Sequence, residues 1–144
     1  MLVKDVLAEK PVHEIYAIAP GDTVSEAAKL LSEKRVGALI VREGEEMKGI
    51  LSERDIVREI GARGVACMSD CVRDIMTDKV RSCSPSDTMK ELMVIMTEGR
   101  FRHMPVMDNG KLVGVISIGD VVATRIKEIQ IENQQMAELI AGNI

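Results

Sequence analysis

Gly114-Val115-Ile116-Ser117-Ile118-Gly119-Asp120 decides the fold, because the chain contains it twice. Sixty-five residues upstream stands Gly49-Ile50-Leu51-Ser52-Glu53-Arg54-Asp55. Each copy runs a short apolar strand into a Ser, and three residues later an Asp opens a helical pattern. The same shift sets Pro20 on Pro85, Asp22-Thr23 on Asp87-Thr88 and Arg35 on Arg100. From 20 to 57, eleven of thirty-eight positions are identical without a gap. Self-similarity at a fixed shift marks one structural unit built twice.

Just before each Ser lie two strands and a turn. Val36 to Val41 and Met47 to Leu51 flank a glutamate-rich turn at Gly44, and Met104 to Met107 and Leu112 to Ile116 flank Asp108-Asn109-Gly110. Asn-Gly between apolar runs is a strong hairpin signal, since both residues tolerate positive φ. Further upstream, Thr23-x-x-Glu26 and Thr88-x-x-Glu91 predict reciprocal capping boxes. Behind them Val24, Ala27, Ala28 and Leu31, and Met89, Leu92, Met93 and Met96, recur at helical spacing. The methionine stripe reads as core in a chain short of aromatics. Ile15 to Ala19 and Val80 to Ser84 end at Pro20 and Pro85 and read as edge strands. Val3 to Leu7 and Val72 to Met76 are matching turns that open each copy.

A second helix closes each copy, Asp55 to Ile60 and Asp120 onward, and Gly61-Ala62-Arg63-Gly64 reads as the joint between copies. The fold class is therefore α+β: two pseudo-symmetric β-α-β-β-α repeats, 1–64 and 65–127. A C-terminal helical extension, 128–144, follows them, because the last helix runs on to about Ile140 before Gly142.

The 144 residues are enough for a buried core, and 46% hydrophobic with 29% charged is ordinary globular composition. A net charge of -4, one Phe, one Tyr and no Trp argue against a nucleic-acid partner, which needs cations for phosphates and rings for bases. No run is long enough to span a membrane, and the N-terminus shows no apolar signal segment. Cys67, Cys71 and Cys83 form no disulfide framework, so a reducing cytoplasmic compartment is expected. Cys67 and Cys71, four apart, raise a metal or redox role, but no His or further Cys stands near, and the expectation is buried or incidental thiols with no metal. His13 reads as surface.

The repeated corner has two readings. Ser as N-cap with Asp at N3 is a capping pair that needs no ligand. A carboxylate at a helix start can also grip a vicinal diol by two charge-assisted hydrogen bonds, as acidic residues grip ribose in dinucleotide-binding folds. Gly49, Gly114 and Gly119 favour the second, since glycine in a strand suggests a close approach. The corner chemistry alone does not choose.

The Gly-h-h-Ser-x-x-Asp pattern in both copies, the order of elements, and Arg102-His103-Met104-Pro105-Val106 before the hairpin resemble a tandem pair of CBS (cystathionine β-synthase) domains. The resemblance covers nearly the whole chain and is close to stand-alone bacterial and plant CBS pairs. It implies a sensor of adenine nucleotides (AMP, ATP or NAD(H)) that binds them in two clefts between repeats and signals by changing shape or assembly. It is not expected to be an enzyme, and no catalytic residues are assigned. The resemblance puts ribose on Asp55 and Asp120, assisted by Ser52 and Ser117, and the adenine edge on backbone around Ile18-Ala19 and Cys83-Ser84. Phosphate falls to Arg102 and His103, whose counterparts are Gly37 and Ala38, with Arg54 a further candidate. Arg35 and Arg100 read as solvated surface. The competing expectation is a ligand-free interaction module in which Ser-x-x-Asp only caps helices; a redox role for Cys67 and Cys71 is the weaker rival. A homodimer is expected, because Val122, Ile126, Ile129, Asn133, Met136 and Ile140 form a heptad seam on the last helix. A downstream protein partner is expected, of unknown identity.

Overall fold

The computed structural model describes residues 1–9 and 15–142; His13 lies outside the described residues. The elements in order are α1 (Val3–Glu9), β1 (Ala17–Ile18), α2 (Val24–Lys34), β2 (Ala38–Glu43), β3 (Glu46–Ser52) and α3 (Glu53–Arg63). A 3-10 turn (Val65–Ser69) leads to α4 (Val72–Ile75), α5 (Met89–Gly99), β4 (His103–Asp108), β5 (Lys111–Ser117) and α6 (Ile118–Ile140). This is the mixed α+β repeat expected.

The compact units are not halves of the sequence. One spans Glu14–Arg81; the other joins Met1–His13 to Ser82–Ile144. Each repeat's opening helix packs on the body of the other repeat. Val72 and Ile75 of α4 join Val24, Leu31, Leu39 and Leu51 in one core. Val3 and Val6 of α1 join Met89, Leu92, Met104 and Ile116 in the other. Backbone bonds fix both exchanges: Val72 N donates to Asp22 O at 2.8 Å, and Val3 N to Asp87 O at 2.9 Å. The apolar pair on each short helix, worth about 3 kcal/mol or more when buried, holds it on its adopted body. Gly61 is inside α3; the helix ends at Gly64, whose φ is 75°.

In the Glu14–Arg81 unit the sheet order is β1-β2-β3, β1 parallel on the edge and β2 antiparallel to β3. In the other unit β4 and β5 form an antiparallel pair, and the expected strand at Val80 to Ser84 is reduced to one parallel bridge, Cys83 with Val106. Pro105 is the reason. Ile40 donates its N–H to Tyr16 O at 3.0 Å, which extends β1. The residue equivalent to Ile40 is Pro105, which has no N–H to give Arg81.

Asn109 and Gly110, with φ 52° and 78°, make the β4–β5 turn as the sequence predicted. Both hairpins bulge at the same repeat position, Val41/Arg42 and Val106/Met107. Thr23 Oγ1 and Thr88 Oγ1 each accept from the N3 amide at 3.1 Å. The reciprocal half of the box is formed at the Ser corners instead of at these Thr caps. Arg35 and Arg100 are exposed left-handed caps, φ 55° in both, which accounts for their recurrence. Met89, Leu92 and Met96 are core. Among the described residues no helix is long and apolar enough to cross a membrane.

Candidate functional site

Each corner is made where a hairpin's second strand turns directly into a helix. Ser52 ends β3 and N-caps α3: its amide donates to Asp55 Oδ2 at 2.9 Å, its hydroxyl donates to the same oxygen at 3.0 Å, and the Asp55 amide donates to Ser52 Oγ at 3.2 Å. Ser117 and Asp120 repeat this at the start of α6, with Ser117 N to Asp120 Oδ2 at 2.8 Å and Asp120 N to Ser117 Oγ at 3.2 Å. Both are complete capping boxes. Asp55 is buried, with only 7% of its surface exposed, and Asp120 is half-buried.

Capping engages Oδ2 in both corners. Asp55 Oδ1 faces a second partner, the Arg58 guanidinium, in a close ion pair. Arg58 escaped the sequence reading; an Asp followed by Arg at i+3 on a helix was the available signal. Its repeat equivalent is Ala123, so the second corner receives no guanidinium from that helix position.

The strand register brings further residues to the corners. Ala38 pairs across from Ser52, and His103 pairs across from Ser117. His103, Ser117 and Asp120 therefore share one corner, and the Arg102 carbonyl, accepting from Ile118 N at 2.8 Å, adjoins it. Arg102 and Arg54 are exposed, and among the described residues no hydrogen bond or ion pair engages either side chain. Arg54 lies in the first turn of α3, one residue before Asp55.

Ile18 is buried in β1, and Ala19 is exposed just beyond it. Ile18 pairs with Val41 and Cys83 with Val106, each three residues along the strand from the position facing the Ser. At strand rise that offset is about 10 Å. The backbone here is already bonded. Ala19 N donates to Asp22 Oδ2 at 3.1 Å and Ser84 N to Asp87 Oδ2 at 2.8 Å. Cys83 N donates to Pro105 O at 3.0 Å, and Cys83 O accepts from Met107 N at 2.8 Å. The Cys83 thiol is pushed up to about 12 by burial, and secondarily by the Asp87 charge, so it is inert at neutral pH.

The strand glycines have a packing explanation. A Cβ on Gly49 would lie 2.5 Å from the Thr77 carbonyl oxygen, just beyond α4. One on Gly114 would lie 2.7 Å from Leu7 Cδ2 on α1. What comes close to both is an exchanged opening segment, so these glycines no longer argue for a ligand. A Cβ on Gly119 would meet nothing nearer than Ser117 Oγ at 3.6 Å, an ordinary contact.

Cys67 is fully buried and Cys71 half-buried, both free thiols. Among the described residues no group of His, Cys, Asp and Glu is arranged to hold a metal. An open groove of about 480 Å³ lies between α2 and α3, lined by Leu31, Val36, Gly37, Ile56 and Val57 among others. Neither Ser52 nor Asp55 lines it.

Comparison with known proteins agrees with this architecture. The CBS domain family matches residues 3–62 and 72–126. The Arabidopsis thaliana CBS domain-containing protein CBSX3, mitochondrial, is 38% identical over 126 residues, which cover 84% of this chain and 61% of that protein. The crystal structure of the CBS-domain containing protein ATU1752 from Agrobacterium tumefaciens superposes with a TM-score of 0.84 at 40% identity, covering 87% of this chain and 99% of its own. The crystal structure of CBSX2 in complex with AMP matches with a TM-score of 0.72 at 26% identity, covering 88% and 96%. The duplicated strand-to-helix corner and these matches have one account: the chain belongs to the CBS domain family and carries a tandem pair of CBS domains.

Proposed function

We propose that this CBS pair is a regulatory module that binds an adenine nucleotide at its Ser-x-x-Asp corners and signals by a change of conformation or assembly, with no catalysis of its own. The observation that carries the reading is the register that sets His103 opposite Ser117, beside Asp120, in a chain whose fold matches an AMP-bound CBS structure. Ser52, Asp55, Ser117 and Asp120 would hold ribose hydroxyls, since a carboxylate already accepting backbone bonds keeps acceptor sites for a diol. Backbone at Ile18, Ala19, Cys83 and Ser84 would meet adenine through its carbonyls, which accept more than one bond. Arg102 and His103, with Arg54, would meet phosphate. AMP, ATP and NAD(H) all carry this chemistry. A homodimer and a reducing, cytoplasmic setting complete the reading, with a downstream protein as receiver of the signal.

The test is ligand-dependent unfolding with adenosine, AMP, ATP and NAD. A ligand at about 100 times its Kd stabilises by about 2.7 kcal/mol, a melting rise of roughly 5–10 °C for this size. Asp55→Asn and Asp120→Asn should each remove part of that rise.

A second reading is favoured by the completed capping boxes and by the packing of Gly49 and Gly114. In it the corners only cap helices and the pair is an interaction module. No shift with any adenosine compound would select it.

A further inference from the structure

The two corners differ in where their positive charge comes from. The corner at Ser117 has Arg102 and His103 on the facing strand, where the corner at Ser52 has Gly37 and Ala38. The Ser52 corner instead has Arg58 on its own helix, one turn beyond Asp55, where the other has Ala123. Arg58 touches Asp55 Oδ1, the oxygen that capping leaves over, while Oδ2 holds Ser52. The carboxylate is nearly sealed, but the Arg58 side chain is 69% exposed. Among the described residues its one polar partner is Asp55, met at the guanidinium end of a mostly exposed side chain.

We propose that Arg58 is an exchangeable counter-ion that makes the Ser52 corner selective for phosphorylated nucleosides. This rests on the nucleotide reading of the corners. With no ligand, Arg58 neutralises Asp55. A diol that takes Asp55 Oδ1 displaces the guanidinium, and a neutral nucleoside offers it nothing in return. A nucleotide brings its own anion on the same ribose, a few bonds from the diol, within the sweep of an arginine side chain. The guanidinium then exchanges one oxyanion for another, with fork geometry suited to both. Arg58 is thus a specificity-determining residue: it opposes adenosine and rewards AMP.

The experiment is isothermal titration calorimetry of the full chain carrying Asp120→Asn, so that the Ser52 corner dominates, with AMP and adenosine as probes. The expected result is AMP binding about tenfold or more tighter than adenosine, the size of one charge-assisted bond. Adding Arg58→Ala should weaken AMP by about that factor, leave adenosine equal or tighter, and bring the ratio near one; Arg58→Lys should restore part of it. Equal weakening of both probes would make Arg58 a structural brace and overturn the proposal. So would a ratio that survives Arg58→Ala. If the unaltered chain binds neither probe, the nucleotide reading fails and takes this proposal with it. If adenosine binding persists in Asp55→Asn/Asp120→Asn, the site lies away from the corners. Circular dichroism melting of each variant separates lost binding from lost folding.

Discussion

The Glu14–Arg81 unit and the unit built from Met1–His13 and Ser82–Ile144 share a hairpin, a bulge at the same position, two capped helices and a borrowed opening helix. Where they part, the changes fall into two kinds. One kind alters the frame: Pro105 in place of Ile40 removes the third strand, and α6 runs 23 residues where α3 runs 11. The other redistributes charge around an unchanged corner: Arg58 against Ala123, and Arg102-His103 against Gly37-Ala38. The backbone bonds of the corner are common to both, so duplication held the geometry while the side chains around it diverged. A shared cap is cheap to keep because it stabilises the helix with or without a ligand.

The largest difference to test is the length of α6. Glu128 still belongs to its unit, paired with Arg125 at 2.7 Å, but every described residue from Ile129 onward is exposed. A bare helical stretch of this length would be marginal alone. Ile129, Met136 and Ile140 are 45%, 57% and 80% exposed on the seam interrupted by Asn133. Truncation after Gln130 keeps the Arg125–Glu128 pair, and should shift the proposed dimer toward monomer or aggregate in sedimentation velocity across concentrations. An unaltered assembly would remove the tail from the contact.

Next come the glycines. Thr77 is locked to Ile50 by bonds of 3.0 and 2.9 Å, so a Cβ at Gly49 cannot be relieved without losing them. Leu7, facing Gly114, can turn its methyls away. Gly49→Ala should cost about 3 kcal/mol, and Gly114→Ala about 1 kcal/mol, read as melting falls of roughly 10 °C and 3 °C. Equal losses would mean that α1 is held as rigidly as the segment after α4.

The corners themselves should differ by less. Asp55→Asn keeps an acceptor for the Ser52 amide but gives up the Arg58 pair, whose exposure limits it to about 1 kcal/mol. The expected cost in urea unfolding without ligand is therefore about 1 kcal/mol, most of it abolished in an Arg58→Ala background. A full cost in both backgrounds would show that Asp55 acts through the cap alone.

The smallest effect is at Pro105. Pro105→Val supplies the missing N–H and should add a protected amide at 105 in hydrogen exchange, within about 1 kcal/mol of the parent in stability. A fast-exchanging amide there would mean that Arg81 is kept from the sheet by something other than proline.

Much of this was written in the sequence because its causes are local. A cap needs four residues, the Asn109-Gly110 turn needs two, and an amphipathic helix shows its face in its own spacing. The Ser-x-x-Asp corners, both hairpins, the α5 core face and the long last helix were readable for that reason. Partner choice is not local. Val3 and Val6, or Val72 and Ile75, are an apolar pair on a short helix, and nothing in such a pair says which of two similar bodies it will cover. Only the packed structure shows that the bodies exchange them, and that Gly49 and Gly114 make room for that exchange. The expected strand before Pro85 failed through a proline twenty-odd residues away, because a parallel ladder takes its bonds from a distant neighbour. Arg58 is the intermediate case: its spacing from Asp55 is visible in the chain. That it engages the one carboxylate oxygen left over by the cap was decided by the fold, which set Oδ2 on Ser52 and left Oδ1 to the guanidinium.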